Sequence, residues 1–354
     1  MPAPGGDRLH TVVSRFVRVT EHRSLLLTRV ATDGQWVRAW WGSAAALLWG
    51  IATAVGILAA LAPGKDLVLL TLPWAVALMI LGMMDAAAGL CAYVGFTLSQ
   101  LVLGRVESIY DIRTLLGIGV LSVALPSIGS AIRPFRRIGD GSNAARQDRI
   151  ADYLIAPLFL GYAGASAYAS LNGLSGLGMV TPGDATTFRN VLFTVALVRL
   201  MLEDVTVSEY PQRLRTVHVP VEQEPSPGAR ALSLAGTSTI FLLVAGPFFG
   251  YGWQTWVALA AVLAVPMLNS VSHLLPNFAA VHRWTPRGVL RSVIMCYVGS
   301  WLAAALATRA SDAFAARSIA VLLLVPGTVL AVVDRKSTRL NSSHVSESRM
   351  PSSA

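Results

Sequence analysis

Few side chains here could do chemistry inside an apolar environment. Those that could are carboxylates and an arginine. Asp85 is the one ionised residue in the long apolar run 67–103. Arg199 lies in a second apolar run, with Glu203 one turn later on the same helical face and Asp204 beside it. A charged group at the centre of a membrane helix costs on the order of 3 kcal/mol, so such groups face the interior of a bundle. Two readings of Asp85 compete. Deep in a long helix from 73 to 103, it could carry a proton or pair with a cation. At a turn near 82–85, it would cap the helix that begins at Ala86, where the positive end of the helix dipole favours a carboxylate. Arg199 also has two readings. In the plainer one it snorkels to the inner headgroups and pairs loosely with Glu203. In the sharper one Asp85 and Arg199 meet as a buried pair between two halves of the chain, at a polar site for a small solute. Tyr93, Tyr162 and Tyr168 then lie on helices that could line that site.

Other chemistry is marked by absence. No Gly-x-x-x-x-Gly-Lys-Ser/Thr stretch provides an ATP-binding loop, and no His-Glu-x-x-His provides a zinc site. His10, His22, His218, His273 and His282 are scattered, and no Gly-x-Ser-x-Gly stands in a strand-turn-helix context. Cys91 and Cys296 lie in apolar blocks without metal-ligand spacing and read as small buried hydrophobes. The sequence thus predicts no catalytic residue, no metal and no cofactor, and leans away from an enzyme. Asp312 and Arg317 read as anchors at the edge of a span.

These residues need elements to hold them. The chain has 354 residues, 54% hydrophobic and 13% charged. A soluble protein carries about 25% charged residues. Apolar blocks recur from 40 to 333 and run continuously rather than alternating, which points to helices rather than barrel strands. The predicted fold is an all-α, polytopic transmembrane bundle of about ten spans, eight to twelve at the limits, at roughly 20 residues per span. The net charge is +9 and nearly all arginine, Lys65 and Lys336 being the only lysines. In a membrane protein that excess marks cytoplasmic loops. No basic stripe alternates with exposed aromatics, so nucleic acid is not an expected partner.

The organisation follows from those blocks. Residues 1–39 form a basic segment, expected in the cytoplasm. Val12, Val13, Phe16 and Val17 there fit either an amphipathic helix on anionic headgroups or a solvated tail. Residues 40–205 make a first membrane half of about six spans: 40–61, two within 67–103, then 114–131, 153–171 and 186–205. Four spans up to 131 place Arg133, Arg136 and Arg137 in the cytoplasm, which favours the turn near Asp85. Gly161, Ala165 and Ala169 form a small-residue stripe predicted to admit a neighbouring helix closely. Residues 206–230 read as a polar linker. Residues 231–333 make a second half of about four spans: 231–250, 253–271, 293–307 and 317–333. A Leu-Pro followed by arginine at equal spacing, Leu125-Pro126 to Arg133 and Leu275-Pro276 to Arg283, is the one internal echo.

The stretch 334–354 stands apart. It reads DRKSTRLNSSHVSESRMPSSA, without apolar periodicity. Its first eleven and last seven residues resemble a translated sequencing-library adapter, with Val345–Glu347 where an index would fall. It is therefore left out of fold reasoning as a non-native tail. The remaining layout resembles multi-span membrane proteins of high-GC bacteria in general, and no motif ties it to a characterised family. The resemblance implies the cytoplasmic membrane of a bacterium. Three functions fit: a secondary carrier or permease for a small solute, a non-enzymatic subunit of an envelope or secretion assembly with other membrane subunits as partners, and a membrane-embedded transferase. The transferase rests on Glu203-Asp204 alone.

Overall fold

An apolar run longer than one membrane thickness must tilt or fold back, and the run 67–103 folds back. The computed structural model describes residues 8–20, 25–62, 68, 70–126, 153–154, 156–178, 180–209 and 227–270. Among these every regular element is helical and no strand occurs. The chain divides into two compact units, Met1–Arg230 and Ala231–Ala354.

The first unit opens with three short helices: α1 (Arg8–Thr20), α2 (Leu25–Asp33) and α3 (Gln35–Trp41). A 3₁₀ turn, Gly42–Ala44, leads into α4 (Ala45–Leu61). Then come α5 (Leu72–Met84) and α6 (Ala86–Val102), separated by Asp85 alone. Asp85 is extended, with φ −152° and ψ 119°. Its N–H closes α5 on the Leu81 carbonyl, and its side chain caps α6. The chain reverses there, because Gly82 and Gly89 come into backbone contact across the break. A Cβ on Gly89 would lie 2.6 Å from the Gly82 Cα. In a continuous helix those positions would be about 10 Å apart. The single long helix is thus not what forms; the turn at 82–85 is.

α7 (Ile109–Gly119) starts with a capping box in which Ser108 and Asp111 each bond the other's backbone N–H. It continues into a π-helical turn, Val120–Ala124. The Ser122 carbonyl points at Gly82 and Gly89, and a Cβ on either glycine would overlap it. Three backbones therefore meet beside Asp85. α8 (Ala156–Ser175) packs on α9 (Pro182–Glu209), with Tyr168 stacked on Phe188 at 4.8 Å between ring centroids. In the second unit the described helices are α10 (Pro227–Phe249), which begins at the last residues of the first unit, and α11 (Trp253–Ser270). They are joined by a tight turn at Gly250, whose φ is +69°.

Among the described residues two helical stretches are long and apolar enough to cross a membrane, Gln35–Leu61 with 27 residues and Pro182–Thr206 with 25. Leu72–Met84, Ala86–Val102 and Ala231–Val244 are apolar but shorter. At 1.5 Å per residue, α5 and α6 are about 20 and 25 Å long, less than a hydrocarbon core of roughly 30 Å. The predicted spans 293–307 and 317–333, the arginines at 133, 136 and 137, most of the linker and the tail lie outside the described residues.

The N-terminal segment is not a free tail along its helices. Leu9, Val13, Val17 and Thr20 are buried on one side of α1. α1 packs on α2 and the 3₁₀ turn, and α2 packs on α6. The expected small-residue contact on α8 is also rotated. Gly161 is buried near the Arg189 carbonyl, but Ala165 is half-buried and Ala169 is exposed. The buried face instead runs through Gly161, Gly164, Tyr168 and Leu171. Larger side chains decide it, because the Tyr168–Phe188 stack buries more apolar area than an alanine can.

Candidate functional site: a buried ionic cluster

Five ionisable side chains from four elements come together where α5 meets α6. Asp33 closes α2, Arg38 comes from α3, Asp85 is the hairpin tip, and Arg199 and Glu203 lie one turn apart on α9. The side chains of Asp33, Arg199 and Glu203 are only 2%, 3% and 6% exposed, and Asp85 is 1% exposed.

Arg199 is the hub. Its Nη2 donates to Asp33 Oδ1 at 2.7 Å, its Nε to Glu203 Oε1 at 3.0 Å, and its Nη1 to the Met83 carbonyl at 2.6 Å. The Met83 carbonyl belongs to the last turn of α5, where the dipole is negative and an arginine is favoured. The first turn of α6 has the opposite need and is met by two carboxylates. Asp85 Oδ1 accepts from the Ala87 N–H at 3.0 Å, and Asp33 Oδ2 accepts from the Ala86 N–H at 3.1 Å. Asp85 Oδ2 accepts in turn from the Trp49 indole of α4 at 2.8 Å. The charge of Arg38 acts on Asp85, and its Nη2 donates to the Thr32 carbonyl at 3.3 Å. Gly34 presses on the Asp85 carboxylate so closely that a Cβ there would lie 2.5 and 2.6 Å from its two oxygens.

The sequence-predicted residues thus share one cluster, with a different pairing. Asp85 takes the capping role. Arg199 does not snorkel; it is buried and fully engaged. Its carboxylate partners are Asp33 and Glu203, and Asp85 is not among its hydrogen bonds. The site lies wholly within the first unit rather than between the two predicted halves. The pairing follows from reach. Arg199 spans from α9 to the end of α5, whereas the oxygens of Asp85 are already held by its own helix and by Trp49. Glu203 and Asp204 face apart, Glu203 inward to Arg199 and Asp204 outward to the Tyr153 hydroxyl at 2.5 Å. They do not form one acidic pair. Tyr162 is 59% exposed under the Arg189 guanidinium, Tyr168 is buried on Phe188, and Tyr93 packs on Gly119. Among the described residues no group of three or more His, Cys, Asp or Glu side chains is arranged to hold a metal.

Sequence reasoning missed Asp33, Gly34, Arg38 and Trp49. The available signal was the apolar start of α2, Leu25–Leu27, running into Asp33-Gly34, a turn dipeptide. No protein-family model matches this chain, and neither a curated protein nor a solved structure does.

Proposed function

We propose that this chain is a multi-pass protein of a bacterial cytoplasmic membrane, with about ten spans and its N-terminus inside. In this proposal it works as a secondary carrier for a small solute. The observation that carries the reading is the burial of three carboxylates, Asp33, Asp85 and Glu203, in one cluster. Its described ionisable groups are those three carboxylates and two guanidiniums, Arg199 buried and Arg38 half-buried. The positive end of α6 and the negative end of α5 cancel to first order. Buried carboxylates favour entry of a proton or a cation, and intramembrane carboxylates serve that role in carriers. Asp85 is the accepting group in this scheme, and Arg199 is the fixed counter-charge that holds α9 to the hairpin.

The test uses the purified chain alone in liposomes bearing a pH gradient, challenged with sugars, amino acids, organic acids and inorganic cations in turn. One class is expected to collapse the gradient, and Asp85→Asn to abolish the response. An intact chain that moves neither protons nor solute would overturn the carrier reading. A second reading, a non-enzymatic subunit of a membrane assembly, is favoured by one feature of the same site. Every oxygen of Asp33 and Asp85 already has a donor, as befits a static lock. That subunit would acquire activity only with its co-purified partners.

A further inference from the structure

The outward face of α1 is not used by the cluster or by the fold. At about 100° per residue, Val12, Phe16 and Val19 fall within an arc of about 60°. They are 58%, 46% and 58% exposed. Arg15, which borders this arc, and Arg18, further round on the same side, are exposed. The adjoining side, through Leu9, Val13 and Val17, is packed on the protein. The helix therefore carries one broad apolar face, packed along one half and bare along the other, with cations beyond the bare half.

Its level is set by neighbours. α1 rests on the turn Gly42–Ala44, directly after Trp40 and Trp41. Both indoles are exposed, 41% and 52%, at the start of the apolar stretch Gln35–Leu61. The Trp40 Nε1–H donates to Thr206 Oγ1 at 2.6 Å, near the end of the other long apolar helix. Paired tryptophans near the start of one apolar helix, one of them bonded to the end of another, are where a headgroup layer belongs. We propose that α1 lies in that layer, with Val12, Phe16 and Val19 in the outer acyl region and Arg15 and Arg18 on the phosphates of anionic lipid. The proposal rests on the membrane reading above. It adds a partner, an anionic bilayer surface, and a consequence. α1 packs on α2, and α2 ends in Asp33, so lipid held by α1 steadies the Asp33–Arg199 pair.

The experiment uses the full chain with Cys91 and Cys296 replaced by alanine and a spin label at Val12→Cys. It is placed in nanodiscs of phosphatidylcholine alone or mixed with phosphatidylglycerol. Phosphatidylglycerol is expected to raise the label's exposure to oxygen and lower its exposure to a water-soluble nickel chelate. Each of Arg15→Gln and Arg18→Gln is expected to weaken that shift roughly fivefold in equilibrium constant. A label in water in both lipids overturns the proposal. So does a label equally shielded in both, which would mean a protein cover or insertion without regard to charge. A chain that does not enter nanodiscs overturns the membrane reading itself and the proposal with it.

Discussion

α6 begins and ends with a buried polar side chain, and the two ends are treated in opposite ways. At its start Asp85 has a donor for each carboxylate oxygen, a guanidinium near it and a second carboxylate sharing the helix terminus. At its end Gln100 is 0% exposed, and neither its Oε1 nor its Nε2 has a hydrogen-bond partner. The cost of neglect explains the difference. An uncompensated buried ion costs several kcal/mol, whereas an unpartnered amide costs about 1–3 kcal/mol. A charge forces the fold to assemble around it, and five elements do so at Asp85. A neutral amide can be carried as a tolerated loss.

That contrast can be broken at either end. Arg199→Met should be the most damaging change, at about 3–5 kcal/mol, because it takes a buried cation from Asp33 and Glu203 and a donor from the Met83 carbonyl together. Denaturant titration in mixed micelles would read it. A loss below about 1 kcal/mol would mean the cluster does not hold the bundle. Gly34→Ala should cost about 2 kcal/mol by forcing a methyl onto the Asp85 carboxylate. The same titration measures it, and red-edge shifts in tryptophan emission would report a displaced Trp49. Asp85→Asn keeps the cap but leaves one of its two donors poorly matched, so about 1 kcal/mol is expected with helix content unchanged by circular dichroism. At the other end, Gln100→Leu should be neutral or stabilise by about 1 kcal/mol. A clear destabilisation there would show that the amide has a partner after all and would remove the contrast.

The local half of this site was legible. Arg199 and Glu203 stand four apart, and that spacing alone puts them on one helical face. Asp85 interrupts an apolar run too long for one helix and is followed by alanines, which is how a capped hairpin reads. What could not be read was which distant helix supplies the third partner. Asp33 sits 166 residues from Arg199 in the chain, and no periodicity encodes a contact at that range. The basic composition of residues 1–39 also drew attention from the short apolar helices within it. The rotated packing face of α8 has a similar cause. Small-residue spacing was visible, but the Tyr168–Phe188 stack that turns the helix depends on a partner in another element. The helical character of the chain was legible from continuous apolar blocks, and two stretches of membrane-spanning length and composition agree with it.

The contact between Gly34 and Asp85 has a consequence for inheritance. Every single-base change that replaces a glycine codon with another amino acid brings in at least a Cβ, and a Cβ at position 34 collides with the acid at 85. No shorter acidic side chain than aspartate exists to make room. A descendant of this chain that gains a side chain at 34 must therefore displace the carboxylate at 85 or give it up. The two positions are coupled in variation, each change at one altering the cost of change at the other.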